Sequence, residues 1–110
     1  KGWLPENIRR AVARARIIHA HGALPFIPHT HGTLWEFIDP QSYDFWMKLS
    51  LNMVRRCDGL YRLEGESEGA DMEVALAHTL GMPVWFEHQG DGEGSSFKEW
   101  IQECARRVES

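Results

Sequence analysis

The sequence is poor in cysteine, in basic charge and in long apolar runs, and each shortage excludes a class of protein. Its two cysteines, Cys57 and Cys104, have no C-x-x-C spacing, which excludes a zinc knuckle or a disulfide scaffold and favours free thiols in a reducing cytoplasm. Acidic residues outnumber Lys and Arg by 16 to 12, so no basic excess attracts a nucleic acid polymer. No apolar run approaches the roughly 20 residues of a membrane span.

The rest of the composition is that of an ordinary globular domain. Hydrophobic residues make up 43% of the chain and charged residues 25%. A chain of 110 residues buries one core, so we expect a single domain over residues 1–110.

Apolar spacing and helix-breaking residues divide the chain into alternating helices and strands. Helical spacing, with Ser42 and either Ser95 or Ser96 as N-caps, predicts helices at residues 5–21, 42–57, 70–81 and 97–109. Short apolar runs predict buried strands at residues 23–28, 59–64 and 83–87. No period persists through residues 29–41, which are predicted to form a long loop, and residues 90–96 are predicted to form a flexible one.

Alternating strands and helices at this spacing predict an α/β fold. We expect a mostly parallel sheet of flavodoxin-like or Rossmann-like order, with helices on both faces. The first helix has no strand before it, although right-handed crossovers normally place each helix between two strands. We therefore expect an additional strand upstream of Lys1.

Four carboxylates, Glu66, Glu68, Asp71 and Glu73, surround the start of the predicted helix at residues 70–81. Ligands of parallel sheets bind beyond the carboxyl ends of the strands, where loops lead into helix N-termini. Acids in a first helical turn also complement the helix dipole, which explains Glu68 and Asp71 without a function. Glu73 lies deeper, among apolar neighbours, where partial desolvation suits a nucleophile or a base.

Residues 57–84, CDGLYRLEGESEGADMEVALAHTLGMPV, resemble the carboxyl-terminal signature of the nucleoside 2-deoxyribosyltransferase-like superfamily, which includes the deoxyribonucleoside monophosphate N-glycosidases. In that signature a strand follows an Asp, then come a Ser or Asp, a Gly, and the catalytic Glu in a helix that closes with Leu-Gly-x-Pro-Val. Ser67, Gly69, Glu73 and residues 80–84 match it in order and spacing. Residues 25–49 also resemble a branch with a histidine-containing loop followed by aromatic residues.

The resemblance implies chemistry at the anomeric carbon of a sugar, with Glu73 as the catalytic residue. Glu73 would attack C1′ of a 2′-deoxynucleoside or its monophosphate as the base departs, and another base or water would then take the sugar. Two successive displacements retain configuration, and a carboxylate is the usual nucleophile. Ser67 and the backbone N–H groups of Gly69 and Ala70 would hold a phosphate or a sugar hydroxyl. The resemblance also implies a homodimer or larger homo-oligomer and no cofactor.

The chain departs from that family in the second predicted helix. The family usually carries an Asp eight residues before the position of Asp58, where it orients the nucleophile or the sugar, and this chain has Ser50 there. Ser50 can donate a hydrogen bond but carries no charge, and Asn52 is a candidate substitute. The strand and glycine-rich loop with which the family begins would lie upstream of Lys1.

His29, His31 and Trp35 are candidate substrate-binding residues of the predicted long loop. Zinc sites take three or four protein ligands, so two histidines favour contact with a phosphate or a base, or simple solvation, over a metal site. Trp35 is a candidate for stacking on the base, whereas Trp46 is expected in the core or a subunit contact.

Three functions from different classes therefore stay open. The first, which we expect, is an enzyme that cleaves or exchanges an N-glycosidic bond of a small nucleoside or nucleotide through Glu73. The second is a non-catalytic nucleotide-binding or sensing module, which the uncharged Ser50 favours. The third is a scaffold whose aromatic loop mediates dimerisation.

Overall fold

The computed structural model describes residues 3–90 and 95–109, and it describes their side chains except at residues 3–5, 29–31, 33, 34, 95, 108 and 109. In chain order the elements are α1 (Trp3–Ala20), α2 (Pro28–Ile38), α3 (Tyr43–Arg55), β1 (Leu60–Arg62), α4 (Glu68–Thr79), β2 (Val84–Phe86), a 3₁₀ turn at Glu87–Gln89, and α5 (Ser95–Glu109). Within the described ranges, no helix combines the length and the apolar character needed to cross a membrane. Most of the predicted loop at residues 90–96 lies outside these ranges.

The two strands lie side by side and parallel, with Leu60 opposite Val84 and Arg62 opposite Phe86. A parallel pair needs a crossover connection, and α4 supplies it between β1 and β2. Both strands therefore end on the same side of the sheet. We call this side, where Arg62 and Phe86 end their strands, the carboxyl edge.

Successive side chains of each strand enter different cores on the two faces of the sheet. Tyr61 and Trp85 belong to an aromatic cluster with buried residues of α5, against which α1 also packs. Leu60 and Val84 pack on the opposite face, against a cluster built from Val54, Ala77 and Met82. These two clusters confirm the predicted α/β fold with helices on both faces of a parallel sheet. The arrangement is compatible with a flavodoxin-like fold that lacks one strand.

Serine caps fix the starts of α3 and α4, the two helices that pack most extensively on each other. The Ser42 hydroxyl accepts a hydrogen bond from the Phe45 N–H at 3.1 Å, which confirms the predicted cap of α3. The Ser67 hydroxyl accepts one from the Ala70 N–H at 3.1 Å, and α4 therefore begins two residues before the predicted start. A Cβ on Gly69 would lie 3.0 Å from the Met47 sulfur, so this glycine lets α4 approach α3 closely.

Two predictions for the N-terminal half are wrong. Residues 23–27 form an irregular segment outside the sheet, and the Leu24 side chain is 90% exposed. Residues 29–41, predicted as a loop, lie mostly in helix α2. A short apolar run has no strand character of its own, because it needs a neighbouring strand to supply its hydrogen bonds.

Proline and glycine made α2 resemble a loop, yet both fit this helix. Pro28 occupies its first turn, where the missing N–H would have no partner within the helix. Gly32 lies against α3, where an added Cβ would be 3.4 Å from the Trp46 ring. The glycine therefore allows close packing between α2 and α3 and does not break the helix.

Candidate functional site

The side chain of Glu73 projects from the second turn of α4 toward α3 and is half-buried. The Ser50 hydroxyl of α3 donates a hydrogen bond to Glu73 Oε2. This bond joins the nucleophile predicted from the sequence to the residue that stands where the family's Asp is expected. Hydrogen bonds to a charged acceptor are stronger than those between neutral groups, so the bond holds one orientation of the carboxylate.

The thiol of Cys57 lies within electrostatic reach of this pair. Burial raises the pKa of Cys57, and the negative charges of Asp58 and Glu73 raise it further. A thiol needs to ionise before it can act as a nucleophile. Cys57 is therefore a poor nucleophile at neutral pH.

The predicted phosphate-binding groups at the start of α4 serve the helix itself in this structure. The Ser67 hydroxyl oxygen accepts a hydrogen bond from the N–H of Ala70, and the Ser67 carbonyl accepts one from the N–H of Asp71 at 3.0 Å. Gly69 lies against Met47, as described above. The Ser67 hydroxyl is exposed, so its proton can still be donated to a ligand.

Arg62 connects the end of β1 to this helix start. Its guanidinium donates to the carbonyls of Leu63 and Gly65 and to the carboxylate of Asp71, which lies 3.1 Å away. Gly65 has a φ of 125°, a conformation that favours glycine. The charge of Arg62 is thus used to shape the loop at residues 63–67, which leads from β1 into α4.

Two other predicted substrate-binding residues, Asn52 and Trp35, have contacts of their own in the structure. The Asn52 side chain is exposed and donates to the Lys48 carbonyl of its own helix at 2.9 Å. Trp35 lies on α2 and packs edge-on against Phe45 and Trp46, with ring centroids 5.3 and 5.5 Å away. His29 and His31 belong to α2, but their side chains lie outside the described part of the chain.

Sequence reasoning missed a second carboxylate, Glu87, at the carboxyl edge. Its Oε1 accepts from Arg10 Nη2 at 2.8 Å and from the Glu64 backbone N–H at 2.8 Å, and its Oε2 accepts from Arg14 Nε at 2.9 Å. Only 10% of the side chain is exposed. Burial raises the pKa of Glu87, but the Glu64 amide and the two arginines outweigh burial and lower the pKa below its ordinary value.

Two weak signals in the sequence point to this cluster. Arg10 and Arg14 are four residues apart on α1 and therefore share one helix face. Glu87 follows a parallel strand directly, the position from which side chains reach the carboxyl edge. Neither signal shows that the three residues meet, because 73 residues separate Arg14 from Glu87.

Metal chemistry has no candidate centre among the side chains that the structure describes. None of their His, Cys, Asp and Glu residues form a group of three or more arranged to hold a metal ion. Three of the carboxylates in this region have other partners: Asp71 and Glu87 pair with arginine, and Glu73 accepts from Ser50.

A family model described as "Domain of unknown function (DUF4406)" matches residues 3–86. The chain belongs to this family. The DUF4406 match runs from α1 through β2 and includes both Ser50 and Glu73. Its description carries no activity, so the resemblance to nucleoside 2-deoxyribosyltransferases stays a prediction. No curated protein and no solved structure matches the chain significantly.

Proposed function

We propose that this chain cleaves or exchanges the N-glycosidic bond of a 2′-deoxynucleoside or its monophosphate, with Glu73 as the nucleophile. The observation that carries the proposal is the hydrogen bond from Ser50 to the half-buried carboxylate of Glu73. A nucleophile must be held in a fixed orientation and remain accessible, and Glu73 is neither sealed in the core nor extended into solvent.

The proposed reaction consists of two successive displacements at C1′. A carboxylate oxygen of Glu73 bonds to C1′ while the C1′–N bond breaks. The electron pair of the broken bond stays on the base nitrogen, which takes up a proton from solvent water. Water or the nitrogen of a second base then attacks C1′, loses a proton and releases Glu73. Each step inverts C1′, so the overall reaction retains configuration. Ser50 keeps Oε2 engaged, which leaves Oε1 as the attacking atom.

The test is the conversion of this carboxylate to an amide of the same shape. Glu73→Gln should abolish release of free base from deoxynucleosides and their 5′-monophosphates, measured by chromatography, while the melting temperature stays nearly unchanged. Glu68→Gln is the matched control, because Glu68 is an exposed acid on the same helix. Equal activity in Glu73→Gln and the wild type would refute the proposal.

The competing function is a binding module without turnover. It is favoured by the absence of charge on Ser50. A thermal-shift panel with the same nucleosides and nucleotides separates the two functions. Stabilisation without release of free base supports the module, whereas release of base supports the enzyme. If the chain is only a scaffold, the nucleosides and nucleotides should neither stabilise it nor lose their base.

We also propose that the chain self-associates through the junction of α2 and α3. Phe37, Ile38 and Tyr43 expose 83%, 71% and 57% of their surfaces there, and such apolar patches mark contact sites. Sedimentation velocity should show an oligomer that Phe37→Ser together with Ile38→Ser dissociates. A wild-type chain that sediments as a monomer at every concentration would refute this assembly.

A further inference from the structure

The carboxylate of Glu87 holds one peptide unit of the loop at residues 63–67. The Glu64 N–H donates to Glu87 Oε1 at 2.8 Å. The carbonyl of the same residue accepts from Arg10 Nη2 at 3.4 Å, and Arg10 itself bonds to Glu87. Both backbone polar groups of Glu64 are therefore bound by this one cluster.

The contacts continue from the loop into α4. One residue beyond Glu64, the Gly65 carbonyl accepts from Arg62 Nη2 at 2.9 Å. The same nitrogen of Arg62 lies 3.1 Å from Asp71 in the first turn of α4. Glu87 and the start of α4 are thus joined through the loop, in a path that includes α1, β1 and the turn after β2.

The sheet alone provides little restraint on this loop. Each strand has only three residues, so few ladder hydrogen bonds lie close to residues 63–67. A loop of this kind opens locally unless side chains satisfy its backbone groups. Glu87 is suited to that task because a carboxylate accepts several hydrogen bonds at once and donates none.

We propose that Glu87 is a positioning residue that fixes the loop at residues 63–67, and through it the start of the helix that carries Glu73. Glu87 itself stays out of the reaction, since its oxygens are occupied by two arginines and an amide. The consequence for substrate binding rests on the function proposed above. The consequence for the loop does not.

The first test is hydrogen exchange of the full chain, followed by mass spectrometry. Glu87→Gln removes the charge and replaces one acceptor oxygen by a donor group, so amides at residues 63–69 should exchange at least about tenfold faster. Amides of α5 should exchange as in the wild type. Glu103→Gln, an exposed acid on α5, is the matched control and should leave the loop unchanged. Arg10→Gln is the second variant, and it should accelerate the same peptide by a smaller factor, because Arg10 is 36% exposed.

Unchanged exchange at residues 63–69, or an increase shared equally by α5, would overturn the positioning role.

The second test is the release of free base, where Glu87→Gln should raise KM more than it lowers kcat, because the bond from Ser50 to Glu73 remains. A fall in kcat at constant KM would contradict the role in substrate binding. A wild-type chain that releases no base refutes the proposed function, and the exchange result then decides the role of Glu87 by itself.

Discussion

The contact between Ser50 and Glu73 predicts an energetic coupling that can be measured without any substrate. The perturbation is a double-mutant cycle of Ser50→Ala, Glu73→Ala and the combined variant. Both residues lie inside helices, where alanine is the most favourable residue, so single substitutions mix a gain in helix propensity with the loss of the hydrogen bond. The cycle cancels the propensity and isolates the interaction.

The expected coupling follows from the geometry of the pair. Hydrogen bonds to charged groups contribute about 1.5–3 kcal/mol. Because both residues are half-buried and water competes for the carboxylate, we expect the low end, about 1.5 kcal/mol. Independent sites add to within about 0.3–0.5 kcal/mol, so the expected coupling is well above that limit.

The assay is urea unfolding of the four proteins at neutral pH. The matched control cycle combines Glu73→Ala with Thr79→Ala, because the Thr79 hydroxyl donates to the Ala75 carbonyl of its own helix at 3.0 Å. That cycle should be additive. If the Ser50 cycle is additive as well, the hydrogen bond does not orient Glu73, and the structural support for the nucleophile is lost.

Two further predictions concern Glu87 and Gly59. The pKa of Glu87 is lower in the folded protein than its ordinary value of 4.5. The stabilisation that its ionised form provides is therefore present above pH 4.5 and is lost as the pH falls through the lowered value. Urea titrations across that range should show a larger loss of stability for the wild type than for Glu87→Gln. Equal acid sensitivity would contradict this. Gly59→Ala places a Cβ in steric overlap with the Cys104 sulfur and should lower the free energy of unfolding by about 1–3 kcal/mol. Cys104→Ala should restore part of this loss, because it removes the sulfur and leaves a Cβ–Cβ distance of 3.5 Å, which is an ordinary contact. A combined variant as unstable as Gly59→Ala alone would refute the steric explanation.

The region from α3 to β2 was predictable because its signals are local. Ser42 and the apolar spacing after it define α3, and the caps and breaking glycines around α4 lie within a few residues of the ends that they set. The alternation of strand and helix then determines the parallel pairing of β1 with β2, since a crossover helix between adjacent strands requires it. Opposite faces for Tyr61 and Leu60 follow from the period of a strand.

The N-terminal half was less predictable because its decisive contacts are distant. An apolar run becomes a strand only when another strand pairs with it, and residues 23–27 lie outside the pair that the structure describes. Gly32 reads as a helix breaker until Trp46 is seen against it, 14 positions along the chain. In both places tertiary packing, rather than local propensity, decides the conformation.

The partners of Glu73 and Glu87 explain how readily each residue could be found from the sequence. The same partners explain how the two carboxylates differ in chemistry. Glu73 can be found from its own helix, and its only partner given by the described contacts is the neutral hydroxyl of Ser50. Glu87 is held by groups from two distant elements, and two of those groups are cationic. Charge pairing lowers the pKa of Glu87 and stabilises its anion, so it also weakens that carboxylate as a nucleophile. The two proposals follow this difference in partners. Glu73, bound by a neutral hydroxyl on one oxygen, is the residue proposed for bond formation, and Glu87, bound by two arginines, is the residue proposed to hold the loop.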